Sequence, residues 1–335
     1  MILAAGISSW TLTGIVRRYA VRSKLLDIPN PRSSHTLPTP RGGGLAIVIT
    51  FAAALVLLGF ARLVDIRTIS VLLLSGGLIS GVGLLDDRYS VSAGMRIAVQ
   101  LVAALFFVFA IREVPDSVLA DFGFRHHWTN TLLVVLALSW NTNLFNFMDG
   151  IDGIAGGEAM FIAGAGAYIN FMQRGDLGLS AAMLCLCAAS GGFLFWNLPT
   201  ARIFLGDVGS GFFGLMLPML GLVASQRSSI PVQVWVILGG LFAVDATITL
   251  LRRIARGDRW FEGHRLHCYQ HLARCWNDHL RVTVLFGAIN ILWLFPWALY
   301  AASIPASATR CLIAALSPLA ILSLLAGAGK QECIK

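Results

Sequence analysis

One pattern repeats from end to end of this chain: runs of about twenty apolar residues separated by short polar stretches. A helix of that length spans the roughly 30 Å hydrocarbon core of a bilayer. Only a helix or a closed barrel satisfies its own backbone there. The runs fall near 1–16, 43–61, 66–85, 94–111, 130–148, 154–172, 177–198, 209–225, 231–251, 282–302 and 308–328. They predict an all-α, polytopic transmembrane bundle of about eleven helices, with residues 1–335 forming a single integral-membrane domain. Charge agrees: 13% of the residues are charged, against roughly 25% in a soluble domain. The first run is short for a crossing. The fifth is interrupted by Asn141, Asn143 and Asn146, which are costly in hydrocarbon unless they face protein or water.

The loops divide by charge. Arg62, Arg67, Arg112, Arg125, Arg174, Arg227 and Arg310 fall on one side, and the other 18 of the 25 basic residues fall on the opposite side. By the positive-inside rule the richer side is cytoplasmic, which predicts a periplasmic N-terminus and a cytoplasmic C-terminus. Met1 opens on an apolar run with no basic segment before it, so no cleavable signal peptide is expected. Six scattered cysteines suggest no disulfide framework.

The unusual polar sequences share the cytoplasmic parity, in loops near 17–42, 86–93, 149–153, 199–208 and 252–281. Five such loops on one face are expected to assemble one site. Asp86 and Asp87 end the third run; adjacent carboxylates repel unless a cation compensates them, and a divalent metal or an exposed helix end would each serve. Asn146, Asp149 and Asp152 follow at intervals of three, which on a helix puts them on one face. Asp207 opens the eighth run in Phe204-Leu-Gly-Asp207-Val-Gly-Ser210-Gly. It either caps that helix or holds Mg²⁺ beside backbone N–H groups facing phosphate.

The largest loop runs from Glu262 through His264, Arg265, His267 and Gln270 to His271; its histidines and arginine are donors suited to a pyrophosphate. Zinc on His267, His271 and Cys275 competes, but without a convincing fourth ligand; contact with anionic headgroups competes too. Asp245, inside the ninth run, is a functional-site candidate by its position, or else a hydrogen-bond partner of Thr247 or Thr249. No phosphate-binding loop and no Gly-x-Ser-x-Gly elbow occurs.

Taken in order, these motifs resemble the polyprenyl-phosphate N-acetylhexosamine-1-phosphate transferase superfamily. The likeness covers nearly the whole chain, from Ser34-His35-Thr36 and Pro40-Arg41-Gly42-Gly43-Gly44 through Asp86-Asp87, Asn146 to Asp152 and Phe204 to Asp207, to the histidine loop. Asp27 to His35 and His264 to Gln270 look like the O-antigen-initiating branch. The run of consecutive histidines of the peptidoglycan branch is missing. His35 and Arg41 stand where that branch has a lysine, which argues against its substrate.

The resemblance implies transfer of a sugar 1-phosphate from UDP-N-acetylfucosamine, UDP-N-acetylquinovosamine or UDP-N-acetylglucosamine to undecaprenyl phosphate, releasing UMP. It implies Mg²⁺, or Mn²⁺ as a substitute, on Asp207 and Asp86. Asp86 and Asp87 would position or deprotonate the lipid phosphate. Asn143, Asn146, Asp149, Asp152, Asn197, Phe204, His35 and Arg41 would contact substrate, and His264, Arg265 and His267 would stabilise pyrophosphate charge. The implied partners are the UDP-N-acetylhexosamine, undecaprenyl phosphate and membrane lipid, with no nucleic acid; a homodimer is left open. Direct displacement and a covalent intermediate through Asp86 both fit. The rival class, an ion-coupled transporter, predicts polar groups at mid-membrane and paired repeats; here the polar groups gather at one interface.

Overall fold

The structure, a computed structural model, describes residues 1–29, 37–111, 126–228, 230–258 and 264–330. His35 lies outside them. The chain is all-α apart from a two-residue antiparallel ribbon pairing β1 (Leu26–Asp27) with β2 (Thr39–Pro40). Helices α1 (Ile2–Arg22), α2 (Gly44–Phe60), α3 (Ile66–Tyr89) and α4 (Ala93–Ile111) are followed by α5 (His127–Met148), α6 (Ile154–Met172), α7 (Leu177–Asn197) and α8 (Asp207–Ser228). Then come α9 (Val232–Leu238), α10 (Gly240–Ala255), α11 (Cys268–Trp276), α12 (His279–Ile289), α13 (Phe295–Ser303) and α14 (Ala308–Leu325). A π-helical turn, Asn290–Leu294, joins α12 to α13.

A helix lies under each of the eleven hydropathic runs. Among the described residues, seven spans are long and apolar enough to cross a membrane: α3, α4, α5, α7, α8, the α12–α13 unit and the α14 segment. The ninth run is not one straight helix as its hydropathy predicts. It bends by 76° between α9 and α10, and counts as an eighth span only if the pair is taken together. Of the other three, α2 has 17 residues, α1 ends in arginines, and α6 is rich in glycine and alanine with Glu158 buried in it. The protein is therefore a multi-pass membrane protein.

Helix α8 is the post around which the others stand. Of its apolar window, 94% is buried inside the protein, against 28% for α4. Helices α3 and α5 pack along it. Two of the asparagines that interrupt α5 face neighbouring helices: Asn141 Nδ2 donates to the Gly214 carbonyl at 2.7 Å, and Asn143 exchanges hydrogen bonds with Gln100 of α4. One intramembrane carboxylate that hydropathy does not flag, Glu158, accepts from Asn290 Nδ2 at 2.5 Å, pinning the π-helical turn to α6.

At the end of the bundle away from the polar loops, three helices are tied together. Asp65 caps α3 by accepting the Thr68 N–H, and Asp176 caps α7 by accepting the Leu179 N–H. Arg227, at the end of α8, pairs with both carboxylates and reaches the Thr68 hydroxyl. Removing this guanidinium leaves exposed Asp65 and half-buried Asp176 without their cation. Arg227→Ala is expected to cost about 1 kcal/mol of stability and to lower the thermal midpoint in detergent micelles. Ligand affinity at the opposite end should not change. An unchanged midpoint would mean the three-helix tie contributes nothing.

Candidate active site

The site begins with a helix end, half-buried at Asp207 and buried at Val208. The first N–H groups of an α-helix have no partner within it, and α8 starts inside the protein. Asp87, 1% exposed on the last turn of α3, supplies the acceptors: its Oδ1 takes the Asp207 N–H at 3.0 Å and its Oδ2 takes the Val208 N–H at 3.3 Å. Arg41 stands beside it, with Nε 3.9 Å from Asp87 Oδ1 and Nη2 donating to the Asp87 carbonyl. Asp86 turns the other way, accepting the Val91 N–H at 2.6 Å and Arg96 Nη1 at 2.7 Å. Because Asp87 does the capping, the Asp207 carboxylate is released from that task. It faces Asp86 and Asp87 instead.

The segment after α5 departs from the expected helical face. Helix α5 stops at Met148, and Asp149 to Gly153 form a non-helical turn, with Gly153 at φ 78°. Asp149 and Asp152 consequently project from a turn, not from one helix face, yet both reach the cleft. Burial, then the charges of Asp207, Asp87 and Asp152, pushes the Asp149 carboxyl well above the usual range. Asp152 Oδ2 accepts the Ala201 N–H at 3.0 Å, and its Oδ1 lies 3.5 Å from His279 Nδ1. Asn146 Oδ1 accepts the Ser210 hydroxyl at 3.1 Å.

The loop between α7 and α8 is held by two sequence motifs at once. Asn197 ties it inward, accepting the Gly153 N–H and donating to the Ile203 carbonyl, both at 3.0 Å. The glycine triplet holds its far side: Gly43 and Gly44 donate to the carbonyls of Phe204 and Leu205, and Phe204 donates to Pro40. A side chain at Gly44 would sit 2.2 Å from Gly209 Cα. The glycines are there for close approach.

The histidine loop is placed differently from its predicted role. His267 is the N-cap residue of α11, 3% exposed, its ring stacked between Phe147 and Tyr269 at 6.3 and 5.8 Å, with His264 packed on it. His271 faces Arg274 at 3.1 Å and Cys275 is exposed, so the three candidate zinc ligands do not converge. Among the described residues no three His, Cys, Asp or Glu side chains form a closed metal cage. His264 is pushed down to about 3 by burial, His267 and Arg253, so it is a neutral imidazole at neutral pH. Arg265 offers its carbonyl to Arg274. These three residues do not line the cleft; Gln270, one turn along, does.

The cleft encloses about 260 Å³. Asp87, Asn146, Asp149, Asp152 and Asp207 line it, with Asn197, Phe204 and Arg41. Three further lining residues, Asp27, Gln270 and His279, were not singled out as site residues from the sequence. His279 sits in a stretch that reads as an ordinary start to an apolar helix. Asn143 is absent from the lining, being paired with Gln100. A small cavity of about 30 Å³ adjoins the cleft, sharing Asn146 and Asp207 and adding Asp86 and Arg96. The donor set suits Mg²⁺ shared with a substrate: such an ion takes one or two carboxylates plus phosphate oxygens and water, not an all-protein cage. Asp207 and Asp149, turned toward the cleft and not used as caps, would be those carboxylates.

A multi-pass bundle carrying an acidic cleft of about 260 Å³ at one end is the architecture these residues define. The chain belongs to glycosyl transferase family 4, whose family model matches residues 69–225. It is 30% identical to a decaprenyl-phosphate N-acetylglucosaminephosphotransferase of Mycobacterium leprae, over 88% of this chain and 83% of that one. It is 30% identical to a probable undecaprenyl-phosphate N-acetylglucosaminyl 1-phosphate transferase of Bacillus subtilis, over 82% and 76% of the two chains. A phospho-N-acetylmuramoyl-pentapeptide-transferase of Shouchella clausii is 27% identical over 76% and 81%. The protein is thus a membrane transferase.

Two outcomes follow from this geometry. A methyl group at Gly150 would lie 2.1 Å from the Tyr269 hydroxyl oxygen, so Gly150→Ala should destabilise the fold by about 1–3 kcal/mol. Adding Tyr269→Phe, which removes the clashing oxygen, should restore part of the loss in a detergent melt. Since the unfolded chain binds a proton near pH 6.5 that folded His264 refuses down to about 3, this histidine makes stability fall as pH drops through that window. The thermal midpoint of His264→Gln should therefore decline less between pH 6.5 and 4 than that of the unaltered protein.

Proposed function

We propose that the protein transfers an N-acetylhexosamine 1-phosphate from its UDP donor to undecaprenyl phosphate, releasing UMP, at the cytoplasmic face of the bacterial inner membrane. The carrying observation is the convergence of Asp149 and Asp207, beside Asp86 and Asp87, on one cleft at the end of a membrane bundle. The names of the mycobacterial and Bacillus relatives support it. They favour N-acetylglucosamine over the fucose and quinovose derivatives. The charge distribution of the loops supports the cytoplasmic face.

In this reading a phosphate oxygen of the lipid attacks the sugar-bearing phosphorus of the donor. The bond from that phosphorus to the bridging oxygen breaks, and UMP leaves with the electron pair. Both reactants are anions, so the chain must hold them in line and offset their repulsion. Asp207 and Asp149 would hold Mg²⁺, which, when bound, neutralises charge on the donor pyrophosphate. Arg41 and Arg96, each anchored on one of the paired aspartates, present cations on two sides of the carboxylate cluster. Phe204 offers a ring to the uracil, and Asn197 and Asp152 brace the loop beneath it. An apolar cavity of about 330 Å³, walled by Leu138, Leu144, Phe145, Leu217 and Trp235 where α9 and α10 bend apart, suits the polyprenyl chain.

The test is UMP release by purified protein given undecaprenyl phosphate, Mg²⁺ and a panel of UDP-N-acetylhexosamines. Release should require the lipid, stop on chelation, and fall roughly a hundredfold or more in Asp207→Asn. UDP-N-acetylglucosamine should be the best donor. No release from any donor by folded protein would overturn the reading.

A further inference from the structure

Asp245 takes no part in the scheme above, yet its buried carboxylate accepts three hydrogen bonds among the described residues. It lies on α10, past the bend, and is 2% exposed. Its Oδ1 accepts the Cys268 N–H at 2.8 Å and its Oδ2 the Tyr269 N–H at 3.1 Å; the Thr249 hydroxyl donates to Oδ1 at 3.2 Å. His267 Nδ1 stands 3.5 Å from the same oxygen. A helix cap ordinarily comes from the residue just before the helix. Here the first turn of α11 is held twice: Gln270 Oε1 accepts the His267 N–H at 3.3 Å within the helix's own capping box, and the Cys268 and Tyr269 N–H groups are taken by a carboxylate on a different helix, where the aligned peptide dipoles favour an anion.

What α11 delivers is a wall of the cleft. Tyr269, fully buried, donates its hydroxyl to the Phe147 carbonyl at 2.9 Å, two residues before Asp149. Its ring and the Gln270 amide close over Gly150, the residue after Asp149. The contact is therefore continuous from Asp245 through the Tyr269 backbone and ring to both sides of Asp149.

We propose that Asp245 is a positioning residue for the transfer reaction, holding α11 in the register at which Tyr269 and Gln270 fix the Asp149 turn. The inference rests on the transferase reading. Asp245 does not touch substrate; it acts through Tyr269. An asparagine keeps the size but offers one acceptor oxygen where two are used, and presents an NH₂ group to a backbone N–H.

The experiment measures UMP release and thermal midpoint for Asp245→Asn, Tyr269→Phe and the double variant, with Arg227→Ala as a control for lost stability far from the site. Asp245→Asn should lower kcat roughly 10- to 100-fold, the scale of a misplacement near 1 Å, while Arg227→Ala leaves kcat unchanged. Because both changes break one chain of contacts, the double variant should be within about twofold of Asp245→Asn alone. Losses that multiply, or an Asp245→Asn enzyme within twofold of the unaltered one, would overturn the inference. If Asp245→Asn does not fold, Thr249→Val, which removes one donor to the carboxylate, should lower kcat a few-fold and likewise not multiply with Tyr269→Phe; an unchanged kcat or a multiplied loss would overturn it. An unaltered enzyme that releases no UMP would overturn the transferase reading itself, an outcome distinct from either.

Discussion

Helix α8 begins inside the protein, and buried Asp87 on α3 takes two of its first N–H groups. That bond joins the two halves of the site. It fixes the height of α3 against α8, and so brings Asp86, Asp87 and Asp207 to one level. It also leaves the Asp207 carboxylate free, since a helix start capped by a neighbour need not be capped by its own first residue. The same device recurs at α11, capped from α10 by Asp245. In both places a carboxylate on a membrane helix ends up setting the position of a loop-borne group, and a buried negative charge is made tolerable by backbone dipoles.

The cleft is electrostatically unfinished by design. Arg96 answers Asp86, Arg41 and two backbone amides answer Asp87, and Ala201 with His279 answers Asp152. Asp149 is left without a cation among the described residues, and its carboxyl is raised by burial first and then by the like charges around it. A cavity whose walls repel protonless carboxylates from one another favours whatever cation reduces that repulsion. A phosphate alone would add to it.

Hydropathy placed a helix under each of the eleven runs, because a bilayer imposes length and polarity on each span separately, but it gave no sign of α11, which lies in a polar loop. It missed the 76° bend, since residues 231–251 are as apolar bent as straight. The carboxylates were legible because Asp86, Asp87, Asp149 and Asp207 are few and conspicuous in apolar surroundings. Their geometry was less so: intervals of three suggested a helical face for Asn146, Asp149 and Asp152, but α5 stops at Met148 and Gly153 opens the next helix. Asn143 looked equivalent to Asn146, and only the packing of α4 on α5 assigns it to Gln100. The histidine loop was read as a set of charges facing a ligand, whereas burial makes His264 neutral and turns His267 inward to α11. His279 carries no local signal, because its relation to the cleft comes from the meeting of distant segments; Gln270 was legible only as the end of the histidine-loop motif.

Helices α3 and α8 are nearly equal in length, at 24 and 22 residues, and they are fastened to each other at both ends, by Asp87 at the cleft and by Arg227 with Asp65 at the far side. Neither can slide along the other without breaking both fastenings together. A change in bilayer thickness must then be absorbed by the outer helices, such as α4 and the α12–α13 unit, whose apolar windows are largely open to lipid. The enzyme carries an internal ruler, so the spacing of its acidic groups is set by protein and not by the membrane in which it happens to lie.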